Sequence, residues 1–195
     1  MKIIGLTGGM GMGKSTVASV FRRRHIPVFD ADATVRRLQA PGGSALPAIA
    51  RAFPGTVKGG VLNRAALRAL VLADPAALRR LEAIMHPLVR RAERRMIAAA
   101  RRRAARAILL DIPLLFETGA DARADFTVTV SAPPAIQLAR LRRRRIMTEG
   151  ELRAVIAKQM PDAEKRRRAN RVIRTGLSRH HTQRAVRRLI RELLP

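Results

Sequence analysis

The chain has 195 residues, with 40 Lys plus Arg against 14 Asp plus Glu, a formal charge of +26, 47% hydrophobic residues and no cysteine. An apolar content of that size lets a chain this long bury about 70% of the surface its unfolded form exposes, so the charge excess does not signal disorder. One domain, or one core with small insertions, is expected, and the missing cysteines exclude a disulfide scaffold, a thiolate zinc site and thiol catalysis.

In chain order, the apolar run over 2–7 reads as a buried strand. Lys2 at its head does not make it a secretory signal, because no small-residue cleavage site follows. A helix is expected over about 15–24 with Val17, Val20 and Phe21 on one face, then a second strand at 27–29 ending at Asp30. Over 78–97, Leu78, Leu81, Met85, Leu88, Ala92 and Met96 recur at helical spacing, and His86-Pro87 within that stretch is expected to kink or break the helix. The run at 107–112 is apolar on both faces, as in a strand inside a parallel sheet, and too short to cross a bilayer. Strands at 126–131 and 172–173 follow, and Val186, Leu189, Ile190 and Leu193 mark a last amphipathic helix over 182–194. Strands alternating with helices predict a three-layer α/β/α fold around a parallel sheet.

Gly8-Gly9-Met10-Gly11-Met12-Gly13-Lys14-Ser15 matches G-x-x-x-x-G-K-[ST] and lies between a predicted strand and a predicted helix, the context that gives this pattern its meaning. Glycines let backbone N–H groups turn inward around phosphate oxygens where a Cβ would clash, and the helix start adds its positive dipole end. Lys14 is expected at the β- and γ-phosphates, with the Ser15 hydroxyl completing a Mg²⁺ coordination sphere. A dinucleotide fingerprint starting at Gly9 would need glycine where Lys14 stands, which disfavours hydride transfer.

Ligands of open α/β sheets bind beyond the carboxyl ends of the strands, which singles out Asp30, Asp32 and Asp111. Asp111 closes an apolar strand in the Walker B manner, suited to Mg²⁺ directly or through water, or else acts as a strand-end cap. Of Asp30 and Asp32, one is expected to cap the next helix and the other to act as a base toward an incoming hydroxyl. An Arg-rich segment at 140–145 is a candidate lid over the transferring phosphate. The charge excess, almost all arginine since only five basic residues are lysines, sets up a positive field that draws small polyanions. With no Trp or Tyr and five Phe, the chain lacks a stacking platform for single-stranded bases, which speaks against a nucleic-acid partner.

On these residues the chain resembles the dephospho-coenzyme A kinases. The likeness runs through residues 5–16, Asp30-Ala31-Asp32 with Arg36, His86-Pro87, the stretch from Asp111 to Glu117, Gln137 with Arg140-Leu141 and Arg144, and Gln159-Met160-Pro161 with Lys165. It implies ATP-dependent phosphorylation of the ribose 3′-hydroxyl of dephospho-CoA, with Mg²⁺ and ATP as cofactors. It also implies a single domain over 1–195, with a nucleotide-binding core, a helical acceptor region at about 36–104 and a lid at about 140–165. By the same resemblance Asp32 is the general base, while Lys14 and the loop residues Gly8, Gly9, Gly11, Met12, Gly13, Ser15 and Thr16 cradle the ATP phosphates. Arg140 is then a lid arginine, and Arg36, His86, Pro87, Leu114 and Glu117 fall in the acceptor site. Asn170, Arg174 and Arg145 depart from the family's pattern, around the expected adenine side and lid. Met12 stands for a small polar residue at a position that contributes mainly its backbone N–H. A soluble cytoplasmic protein with no membrane partner is the reading, and oligomeric state stays open. The alternatives are a related kinase acting on a nucleotide or nucleoside, and a basic nucleic-acid-binding protein with a vestigial loop.

Overall fold

The computed structural model describes residues 1–144 and 159–194 and divides the chain into two units, one of Met1–Phe29 and Ala99–Pro195, the other of Asp30–Ala98. In chain order the described elements are β1 (Lys2–Thr7), α1 (Lys14–Arg23), β2 (Val28–Asp30), α2 (Ala31–Leu38), α3 (Leu46–Ala52), β3 (Val57–Lys58), β4 (Val61–Leu62), α4 (Arg64–Ala73), α5 (Pro75–Arg102), β5 (Ala107–Asp111), a 3₁₀ turn (Ala120–Arg123), β6 (Phe126–Ser131), α6 (Pro134–Arg144), α7 (Asp162–Arg168), β7 (Arg171–Arg174) and α8 (Arg179–Leu193).

In the first unit the sheet has the order β2-β5-β1-β6-β7, with β1 parallel to β5 and β6, and β6 parallel to β7. Parallel neighbours need crossovers, so helices return over the sheet and bury its faces. Every residue of β5 is buried accordingly. Val17, Val20 and Phe21 of α1 and Val186, Leu189 and Ile190 of α8 join Ile4, Leu6, Leu109, Val128 and Val130 in one apolar cluster. On the opposite face Leu115 closes over Gly5, where a Cβ would come within 2.9 Å of Leu115 Cδ2. The layers match the α/β/α expectation. Among the described residues no helix is long and apolar enough to cross a membrane.

Element ends moved for local reasons. The last helix begins at Arg179, earlier than its apolar stripe, because the Ser178 side chain accepts a hydrogen bond from the His181 N–H at 3.1 Å. The last strand lengthens to Arg171–Arg174 because β6 supplies partners from Val128 to Ser131. One expectation is overturned: α5 continues unbroken through Pro87 for 28 residues. Pro87 lies on the exposed side of the helix, where water can satisfy the carbonyl its ring leaves without a partner. Leu81, Ile84, Met85 and Leu88 anchor both flanking turns in the core of the second unit.

That second core gathers Ala45, Leu46, Ile49, Phe53, Leu62, Leu67 and Met85. Its hairpin β3/β4 turns on Gly59 and Gly60 with φ of 55° and 75°, the positive pair that a two-residue turn of this hand requires.

Leu109 is fully buried in the sheet, so Leu109→Ala is expected to lower stability by about 2–5 kcal/mol. Ser178→Ala removes only a cap, at about 1 kcal/mol. Thermal melting of the two variants checks this, and the reverse order of loss would contradict the packing described.

Candidate active site

The glycine-rich segment leaves β1 at the carboxyl edge of the sheet and runs directly into α1, whose first residue is Lys14. Gly8, Gly11 and Gly13 have φ of 144°, 79° and 94°, which side-chain-bearing residues rarely adopt. The space is as demanding as the dihedrals: a Cβ on Gly8 would lie 2.3 Å from Val130 Cγ2, and one on Gly11 would lie 2.9 Å from Leu141 Cγ. Gly13 is the N-cap of α1 and no side chain caps that end, and among the described residues the Lys14 and Ser15 amides find no backbone acceptor, which leaves them for a ligand. Lys14 Nζ lies 3.4 Å from the Gly8 carbonyl oxygen, folded along the loop it serves.

Side chains from distant parts of the chain hold the outer rim of the loop. Gln137 Nε2 donates to the Met10 carbonyl at 2.8 Å, and Gln159 Oε1 accepts from the Met10 N–H at 3.3 Å. Arg140 Nη1 donates to the Gly11 carbonyl at 3.3 Å and to Thr175 Oγ1 at 3.2 Å, while its Nη2 donates to the Thr175 carbonyl. Thr175 Oγ1 in turn donates to the Met12 carbonyl. Met12 contributes more than a backbone N–H: its side chain is buried and its sulfur accepts from the Ala132 N–H at 3.1 Å.

Asp111 is buried at the end of β5, in register with Leu6 just before the loop begins. The adjoining segment is tied to β1 by the Ile112 N–H on the Leu6 carbonyl at 3.0 Å and by Thr7 Oγ1 on the Pro113 carbonyl at 2.8 Å. Ser15, in the first turn of α1, is exposed, and Thr16 donates its N–H to the Gly13 carbonyl at 3.1 Å. A serine hydroxyl and a carboxylate are hard oxygen donors of the kind Mg²⁺ takes beside phosphate oxygens, so the residues present fit that ion. Leu114 is exposed. Glu117, expected at the acceptor, is engaged within the fold: it pairs with the buried Lys165 at 2.7 Å and accepts from the Met160 N–H at 3.2 Å. Lys165 also donates to the Pro113 carbonyl at 3.2 Å.

In the second unit, Asp30 and Asp32 divide their work. Asp30 caps α2, accepting from the Ala33 N–H at 2.8 Å, and Asp32 stands exposed in the first turn of the same helix. Arg36 is exposed one turn on, and His86 and Pro87 are exposed on α5.

A cavity of about 300 Å³ opens beside the loop, lined among others by Gly13, Ser15, Arg140, Arg143, Thr175 and Arg179. Three guanidinium groups around loop amides make a strongly anion-attracting hollow. Thr175 and Arg179 went unrecognised in the sequence, whereas Arg143 lies in the Arg-rich segment expected near the transferring phosphate. Thr175 follows directly on β7, so the strand-end rule that selected the aspartates would have found it had it been applied to uncharged residues. Asn170 needs correction. It lies at the start of β7, where its Oδ1 accepts from the Thr127 N–H at 2.8 Å and from Thr127 Oγ1 at 2.9 Å. Thr127 is the second residue of β6, so this pair laces the strands at the end of the sheet away from the loop. Arg174 does reach the loop end, opposite Ser131. Of the lid expected at 140–165, positions 145–158, including Arg145, lie outside the described residues.

The family model for dephospho-CoA kinase matches residues 2–179. A dephospho-CoA kinase of Gluconobacter oxydans is 53% identical over 197 residues, covering 99% of this chain and 98% of its own. One from Paramagnetospirillum magneticum is 57% identical over 166 residues, covering 85% and 78%. Among solved structures, TT1252 from Thermus thermophilus superimposes with a TM-score of 0.85 at 40% identity, covering 100% of this chain and 98% of its own. A shikimate kinase from Acinetobacter baumannii, at 17% identity and a TM-score of 0.52 over 100% and 93%, shares the fold alone. The chain belongs to the dephospho-CoA kinase family.

Proposed function

We propose that this chain transfers the γ-phosphoryl group of ATP to the ribose 3′-hydroxyl of dephospho-CoA, giving CoA and ADP, as a kinase of the cytoplasm where ATP is made and used. The observation that carries the reading is the loop itself: three positive-φ glycines and Lys14 at a strand-to-helix junction, in a chain whose family match spans residues 2–179.

A phosphoryl-transfer transition state is loose and anionic, so catalysis consists of positioning and positive charge rather than covalent help. The loop amides and Lys14 hold the triphosphate tail. Ser15 and Asp111 would hold Mg²⁺, which would supply neutralisation of the phosphate charge. Arg140, fixed at the rim by Gly11 and Thr175, places a permanent charge beside the cavity. Asp32 accepts the proton of the attacking hydroxyl, a role open to it because the neighbouring carboxylate, Asp30, is occupied as a helix cap. Arg36, His86, Pro87 and Leu114 contribute to the acceptor site. Glu117 supports it indirectly through the Lys165 pair rather than by touching the acceptor. The arginine surplus raises the local concentration of both anionic substrates.

Incubated with Mg-ATP and dephospho-CoA, the purified chain is expected to form CoA and ADP in equal amounts, and Lys14→Ala to lower the rate by on the order of 10²-fold or more. Chromatography of the products decides it; no CoA above the Lys14→Ala background would refute the reading. Asp32→Asn is expected to lower kcat by on the order of 10²–10⁴ while leaving ATP affinity unchanged. An equal loss in both would remove Asp32 from the role of base.

A further inference from the structure

A peptide unit is planar and trans, so a carbonyl held on one side points the following N–H to the other. That geometry ties the outer rim of the loop to its inner face. Thr175 Oγ1 takes the Met12 carbonyl, which turns the Gly13 N–H the opposite way. Gln137 Nε2 takes the Met10 carbonyl at 2.8 Å, which does the same for the Gly11 N–H. Both donors are buried, Thr175 to 3% exposure and Gln137 to 8%, so neither is drawn away to water. Among the described residues neither the Gly13 nor the Gly11 amide finds a backbone acceptor, whereas the Met12 N–H between them closes a turn onto the Gly9 carbonyl at 3.2 Å.

The Thr175 hydroxyl faces two carbonyls, that of Met12 and, farther off at 3.4 Å, that of Ser131. Its one proton goes to the Met12 carbonyl, and its oxygen accepts from Arg140 Nη1 at 3.2 Å. The residue is itself fixed, because its N–H donates to the Ser131 carbonyl at 2.8 Å where β7 ends beside β6. Gly13 completes the fit, since a Cβ there would lie 3.2 Å from Thr175 Oγ1.

We propose that Thr175, assisted by Gln137, is a positioning residue that aims the Gly13 and Gly11 amides into the phosphate nest before nucleotide arrives and holds Arg140 at its rim. The proposal rests on the kinase reading above and specifies how its phosphate site is organised in advance. Thr175 touches no reacting atom. It acts by lowering the reorganisation that binding would otherwise require.

The test is calorimetric titration of Mg-ATP into the wild-type chain, Thr175→Val, Thr175→Ser and Gln137→Met, each first checked for a cooperative melt. Steady-state kinetics on the same proteins accompany it. Thr175→Val keeps the shape and removes the donor, and is expected to weaken Mg-ATP binding about tenfold. Thr175→Ser restores most of that loss, and the KM for dephospho-CoA stays at the wild-type value in both. Gln137→Met, at a separate position, is expected to weaken Mg-ATP binding in the same direction, and it carries the test if Thr175→Val fails to fold. Equal affinities for Thr175→Val and Thr175→Ser, a loss that appears in the KM for dephospho-CoA instead, or wild-type affinity in Gln137→Met would overturn the proposal while leaving the kinase reading intact. A wild-type chain that binds no Mg-ATP would overturn both.

Discussion

The structure depends on a single constraint: a short run of backbone must turn several of its N–H groups toward an anion while the carbonyls it displaces find donors elsewhere. Buried carbonyls without partners are costly, so a phosphate-gripping loop cannot be built from glycines alone. Here the donors arrive from α6 and from the end of β7, as Gln137, Arg140 and Thr175. The glycines give the loop its permitted dihedrals, and the donors select one conformation among those permitted.

The parallel sheet is what makes that supply possible. Pairing of β1 with β6, and of β6 with β7, carries residue 175 to the side of residue 12 across 163 positions of sequence. The apolar cluster shared by α1, α8 and the central strands then holds the two strand ends at a fixed separation. Outside the loop, the buried Lys165 and Glu117 pair fixes the segment after Asp111 in the same way. Lys165 donates at once to a carboxylate and to the Pro113 carbonyl. A buried lysine satisfied by a carboxylate and a carbonyl specifies one arrangement more than it adds stability.

What could be read from the sequence was whatever local chemistry dictates. Gly8 to Ser15 declared itself because its spacing has one physical purpose, and 107–112 because a run apolar on both faces suits a strand covered by helices on each side, as the full burial of β5 bears out. Asp30 and Asp32 could be separated into a cap and a free carboxylate in principle, and the Ala33 N–H settles which is the cap. What stayed hidden depends on partners brought from afar. Thr175 carries no charge and so escaped a strand-end rule applied to carboxylates, and its bond to the Met12 carbonyl forms only once β7 lies beside β6. Asn170 was grouped with the nucleotide side by resemblance alone, although a residue that precedes a strand of a parallel sheet lies at the end away from the loop, where its bonds to Thr127 hold it. Pro87 misled because the rule that proline breaks helices is local, whereas the packing that sustains α5 on both sides of it is not.

The central claim is that the phosphate tail, not the base, is what this loop grips. Competition calorimetry with inorganic tripolyphosphate tests it most directly. The account predicts that tripolyphosphate displaces ATP from a single site and that Lys14→Ala weakens both ligands together. Tripolyphosphate that fails to displace ATP would show that the loop does not hold the nucleotide by its phosphates, and equal binding to Lys14→Ala and the wild-type chain would show that the diffuse arginine field, not the loop, attracts it.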